Sequence, residues 1–289
     1  MGLMQNFPRP IQEFIKERIS IRGYDNHEIP EELLEKINSF MYRLSNLFEA
    51  QLRMEILQIS SFEKDEYLKL GSYKVIRGTN TFLAAAHPKD KLNLLNAGYV
   101  MEHVVLYAQA LGLGTCWLSL TFNRDAFIKA LQLKGNEIMP VIISMGFPQT
   151  GIDLIGGYYR TLVKSRTRKP WKELFFADDF FHQLSRHSAG IFADSLEMVR
   201  LSPSGYNHQP WRIIKQGDLF HFYIFRKILP ENKRKAGFNM AFLDCGICMA
   251  HFALTNEANG IAGHWFLQEP DIAGKTDEHT YVASWLRGA

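Results

Sequence analysis

"LLNAGYVMEHVVLYAQALGLGTCWL" occupies residues 94–118, and "FLDCGICMAHFALTNEANGIAGHWF" occupies residues 242–266. The two stretches align without a gap. Leu95 falls on Leu243, Gly98 on Gly246, Met101 on Met249, His103 on His251 and Leu106 on Leu254. The match runs past the apolar part, where Ala110, Gly112 and Trp117 meet Ala258, Gly260 and Trp265. Each stretch is apolar nearly all round, so each reads as a long buried helix. Asn96, Glu102 and Gln109 sit inside the first, and a bilayer core would penalise them heavily, which argues against a membrane span. A repeat of such long period means two tandem copies of one unit, each with a central helix.

The flanking sequence suits that plan. "FLAAAH" at 82–87 and "MPVIISMGFP" at 139–148 are short apolar runs bounded by Pro and Gly, as buried strands are. "WRIIK" and "LFHFYIF" predict a strand pair around Gln216, Gly217 and Asp218. "PEELLEKINSFMYRL" predicts an amphipathic helix with a stripe of Leu33, Leu34, Ile37, Met41 and Leu44, opened by Pro30 and two acids. The 289 residues suffice for one large domain or two intimate ones, and no segment has the composition of a disordered tract. A net charge of +3 is too mild to argue for nucleic acid or a membrane as partner, while small anionic ligands fit it. The N-terminal residues lack a signal-peptide core, so a cytoplasmic protein is expected.

Cys116, Cys245 and Cys248 are the only cysteines, too few for a four-thiolate zinc site or a disulfide framework. "CGIC" has redox spacing, but it lies inside an apolar run and reads as two packed core thiols. His103 and His251 read as helix-interface histidines, because neither has a second metal-ligand type spaced beside it.

Three polar segments carry the functional signal. In "RISIR" at 18–22, Arg18, Ser20 and Arg22 alternate, so in extended backbone two guanidinium forks flank a hydroxyl, which makes a phosphate clamp or a solvated basic turn. "KSRTRKP" at 164–170 adds Lys164, Arg166, Arg168 and Lys169 near the junction of the two copies. In "SPSGYNHQPW" at 202–211, Pro203 and Gly205 shape a turn, Ser204 and Asn207 offer short polar groups, and Trp211 starts a strand. Such a loop can present amides and hydroxyls to a flat polar heterocycle. No Gly-rich dinucleotide fingerprint follows a plausible strand, since "GLG" at 112–114 lacks the third glycine and follows a helix.

"RISIR" resembles the R-x-S-x-R that opens nitroreductase-family flavoproteins, and "SPSGYNHQPW" is similar to their P-S-x-x-N-x-Q-P-W signature. "GLGTCWL", "TFNR", "MPVIISMGFP" and "RTRKPWKELFF" resemble the single-chain, TM-type nitroreductase branch. The resemblance implies an α+β fold in which two nitroreductase-like halves, 1–160 and 161–289, are fused to mimic the family's homodimer. It also implies FMN at the interface of the halves, and a monomeric chain.

The motifs are divided between the copies. The first half has the clamp but reads "RLSNLFEAQLR" where the second has its signature, and the second begins "DDFFHQLSRHSAGIF" with no clamp. One composite site is therefore expected. By the resemblance, Arg18, Ser20, Arg22, Arg166 and Arg168 would hold the FMN phosphate. Pro203, Ser204, Gly205 and Asn207 would approach the ring, and the backbone of Leu118, Ser119 and Leu120 would lie near flavin N5. The family usually has glycine at or beside the position of Leu120, where this chain departs from it. The implied activity is hydride transfer from NADH or NADPH through flavin to a nitroaromatic or quinone-like acceptor, with ping-pong kinetics and no catalytic side chain required. A flavin-binding protein without turnover and a scaffold without flavin are the alternatives. Colour and bleaching by nicotinamide separate the three.

Overall fold

The computed structural model describes residues 3–58, 75–119, 122–150, 157–158, 161–162, 167–228 and 239–288. Helices α1 (Ile11–Glu17) and α2 (Glu31–Tyr42) precede strands β1 (Arg53–Gln58) and β2 (Thr81–Pro88), and α3 (Lys91–Ala110) follows. After it come β3 (Gly114–Leu118), α4 (Arg124–Leu131), β4 (Glu137–Ile138) and β5 (Ile142–Gly146). The single turn α5 (Trp171–Leu174), β6 (Phe175–Ala177), α6 (Ala193–Leu201), β7 (Trp211–Gln216) and β8 (Leu219–Phe225) lead to α7 (Ala241–Ala258). The chain closes with β9 (Gly263–Phe266) and β10 (His279–Arg287).

The two sheets have the same connectivity. The first is ordered β1-β2-β5-β3 and the second β7-β8-β10-β9, so in both the fourth strand in chain order lies between the second and third. In both, the long helix follows the second strand. β4 is added to β2 in the first sheet, and β6 pairs parallel with β7 in the second. The fold is thus α+β with two similar sheet-and-helix halves, as internal duplication requires.

The repeat glycines explain how the halves meet. Helices α3 and α7 pack on each other at the centre of the molecule, where a Cβ on Gly98 would collide with the carbonyl oxygen of Leu243. A Cβ on Gly246 would collide with the carbonyl oxygen of Leu95. Because Gly98 is the counterpart of Gly246 and Leu95 of Leu243, the crossing is reciprocal, as at a two-fold dimer interface. Both helices also end alike. The residue closing each, Leu111 and Asn259, has φ −87° and ψ 6°, and Gly112 and Gly260 follow at φ +83° and +72°. The next amides, of Leu113 and Ile261, bond back to Ala108 O and Asn256 O, a Schellman ending that needs glycine in left-handed backbone.

One apolar cluster runs through both halves, joining Leu83 and Ile143 of the first sheet to Phe220 and Trp285 of the second by way of α3 and α7. The α2 stripe differs from expectation at its end: Leu34, Ile37 and Phe40 are its buried residues, and Leu44 lies beyond the helix. The helix stops at Tyr42, so its final buried side chain comes one turn earlier. Cys116, Cys245 and Cys248 are buried free thiols, and burial pushes the Cys248 thiol up. Native protein is therefore expected to give no reaction with a thiol reagent over minutes, and three thiols per chain after denaturation.

His103 and His221 are buried, and desolvation lowers each from 6.5 to about 4. A neutral buried histidine that becomes charged on unfolding makes the unfolded state bind the extra proton. Stability contributed this way is complete above the unfolded value near 6.5, falls as pH drops towards about 4, and is flat below. For His103 the slope is at most about 1.4 kcal/mol per pH unit, and His103→Phe should flatten a plot of unfolding midpoint against pH between those limits.

Candidate functional site

Helix α1 stops at Arg18, whose ψ of 124° turns the chain into extended backbone. Ser20 bridges in parallel to Thr115 of β3, with Ile21 N donating to Thr115 O at 2.9 Å. Arg77 N donates to Arg22 O at 2.9 Å, so the 20–22 part of the segment is held on both sides. β3 ends at Leu118, whose side chain is 3% exposed, so its backbone is what this position can offer a ligand. Ser119 O accepts from Arg124 Nη2 at 2.9 Å. Leu120 and Arg166 lie outside the described residues.

The second contribution begins where α6 ends. Ser204 is extended, Gly205–Asn207 form a 3-10 turn, and Tyr206, Asn207 and Gln209 have φ of 52°, 57° and 49°. Three non-glycine residues in left-handed backbone within four positions are unfavourable and need external support. Gly205 N donates to Asp244 Oδ1 at 2.9 Å, Gln209 N to Ser204 Oγ at 2.9 Å, and Asn207 Nδ2 to Thr167 O at 2.9 Å. Gln209 Oε1 accepts from Lys169 N at 2.7 Å. Ser204 and Asn207 are thus engaged in building the loop. Asp244, Gln209 and Thr167 are the supports that sequence reasoning missed.

Asp244 has a telling counterpart. Asn96, aligned with it in the repeat, accepts from Leu47 N at 2.7 Å, in the loop between α2 and β1. The same helix position therefore secures the same loop in both halves, and the first-half loop occupies the place of Ser202–Pro210 without its signature residues.

The two contributions meet at arginine. Arg168 donates to Leu201 O through Nη2 at 3.0 Å and lies 3.4 Å from Asn207 Oδ1 through Nη1. Its pKa is lowered to about 10, first by burial and then by the positive charges of Arg18 and Arg200. Arg200 is paired with Glu197 at 2.5 Å. Arg18 Nη1 is buried and has no hydrogen-bond partner among the described residues. Partly desolvated like charges, one with an orphaned guanidinium nitrogen, fit an oxyanion such as the phosphate of FMN. The structure thus brings together Arg18, Arg168 and the 203–207 loop, with Ser20 alongside β3 and Arg22 against the backbone of Arg77. No group of three or more potential metal ligands occurs among the described residues, and no described helix is long and apolar enough to cross a membrane.

These features define an α+β protein of two similar sheet-and-helix halves. The family model described as "Putative TM nitroreductase" matches residues 10–256, and the chain belongs to that family. The fold is similar to the crystal structure of a putative nitroreductase from Thermotoga maritima, with TM-score 0.61 and 20% identity over 96% of this chain and 93% of that one. A nitroreductase family protein from Clostridium novyi is 22% identical over 49% of this chain and 87% of its own, with TM-score 0.41. An FMN-dependent nitroreductase from Clostridium difficile is 19% identical over 48% and 88%, also with TM-score 0.41. A comparison with curated proteins gives no match.

Proposed function

We propose that the chain is an FMN-dependent NAD(P)H oxidoreductase with one composite flavin site, built from halves 1–160 and 161–289. The observation that carries this reading is the convergence of Arg18 from the first half with Arg168 and Asn207 at the second-half loop. Family membership supports it. Arg18, Ser20, Arg22 and Arg168, with Arg166, would hold the phosphate. The Pro203, Ser204, Gly205 and Asn207 segment would orient the ring, and the Leu118–Leu120 backbone would line its reacting edge. When bound, FMN supplies hydride acceptance and electron delivery to the acceptor. The chain's own part is to neutralise the phosphate, fix the ring plane and leave one face open to NADH or NADPH and then to a nitroaromatic or quinone. Fusion already covers the surface between the halves, so the working unit is a cytoplasmic monomer without nucleic-acid or membrane partners.

Anaerobic addition of NADH or NADPH to FMN-loaded protein should bleach the flavin band, and a nitroaromatic should restore it. Bound flavin that neither nicotinamide bleaches would mark a carrier or sensor instead. Arg22→Ala should weaken FMN binding about ten-fold or more, the loss of one charge-assisted contact. Unchanged affinity would remove Arg22 from the site.

A further inference from the structure

Glu102 on α3 and His251 on α7 are both completely buried. His251 Nε2 lies 2.9 Å from Glu102 Oε1, and its Nδ1 lies 3.0 Å from Met198 O. Trp117 Nε1 donates to Glu102 Oε2 at 2.9 Å. A carbonyl oxygen only accepts, so Nδ1 carries a proton, and the contact between Nε2 and Oε1 holds a second one. The pair is therefore either imidazolium with carboxylate or neutral imidazole with carboxylic acid. In both forms it is uncharged overall, which satisfies burial.

What the pair joins gives it a role. Trp117 belongs to β3 and is followed directly by Leu118 and Ser119. Met198 O also accepts from Ser202 Oγ at 3.3 Å, the residue that opens the Pro203–Asn207 loop. A single carboxylate thus links the strand bordering one side of the candidate site to the helix end that launches the other. The network occurs once, because the repeat places Ala250 opposite Glu102. His103, the counterpart of His251, instead bonds Tyr99 O within its own helix at 2.7 Å.

We propose that Glu102 and His251 are positioning residues whose proton-sharing contact sets the spacing of the two contributions to the composite flavin site. The proposal rests on the flavin reading above. Glu102→Gln can keep every bond: its carbonyl accepts from Trp117 and its amide donates to Nε2 of a neutral His251 that still donates to Met198 O. That variant should bind FMN within about three-fold of wild type, whereas Glu102→Leu and His251→Leu should bind about ten-fold or more weakly in full-length protein that retains its native circular dichroism. A merely structural role would lower the melting temperature without separating Gln from Leu in FMN affinity. Where the leucine variants do not fold, Trp117→Phe cuts only the β3 link and should weaken FMN binding about three-fold or more. Equal FMN affinity in wild type and all folded variants overturns the positioning role. Ring-nitrogen NMR of His251 tests the pair without flavin: a protonated Nδ1 in wild type and in Glu102→Gln is expected, and an unprotonated Nδ1 overturns it. Wild-type protein that binds no FMN would overturn the site reading and the positioning role together, while the nitrogen resonances would still decide the pair.

Discussion

Gly246→Ala should destabilise the protein by about 3 kcal/mol, and Gly98→Ala by a similar amount. Neither effect comes from backbone conformation, since both glycines lie inside helices. The cause is room: at the α3–α7 crossing a methyl group on either glycine meets main-chain carbonyl, which cannot rotate away as a side chain could. The helices must separate, and the core that runs through both halves separates with them. In a chain of 289 residues this should appear as a fall in melting temperature of about 5 °C, measured by calorimetry or circular dichroism. Because the two collisions lie at one reciprocal crossing, the double variant should lose less than the sum of the singles. Additive losses would mean that the two contacts relax independently.

Arg18→Ala should produce two effects of opposite sign. Flavin affinity should fall about ten- to one-hundred-fold, the consequence of losing a charge-assisted contact worth about 1.5–3 kcal/mol. Without flavin the variant should be as stable as wild type or more so, since Arg18 contributes to lowering the Arg168 pKa and removing it relieves that repulsion. A fluorescence titration with FMN and a melting curve of the flavin-free protein check the two halves of this prediction. Loss of stability without loss of affinity would make Arg18 a structural residue.

The repeat was legible because its glycines, histidines and tryptophans recur in fixed register, and each glycine does the same physical work in both copies. The asymmetry proposed for the site rests on the sequence in a related way: "RISIR" and "SPSGYNHQPW" each occur in one half only. What escaped the sequence is long-range. Glu102 looked like a polar interruption of an apolar helix, because its partner His251 lies 149 positions away. Asp244 has no local signal of its part, because its carboxylate secures Gly205, 39 positions away. β1, β6, β9 and β10 have little local signature, since their pairing partners are remote and decide whether they form. The left-handed backbone at Tyr206 also leaves no trace in residue type, since tyrosine has no preference for that conformation.

We propose one flavin site per chain, assembled from unlike contributions of two similar halves. Its most direct test is the stoichiometry of FMN binding, by calorimetric titration of flavin-free protein with monomer concentration fixed by amino-acid analysis. One FMN per chain is expected, abolished or greatly weakened by Arg18→Ala in the first half. Two per chain would mean that each half keeps a site of its own, and none would mean that the fold has outlived its cofactor; either result would contradict a single composite site.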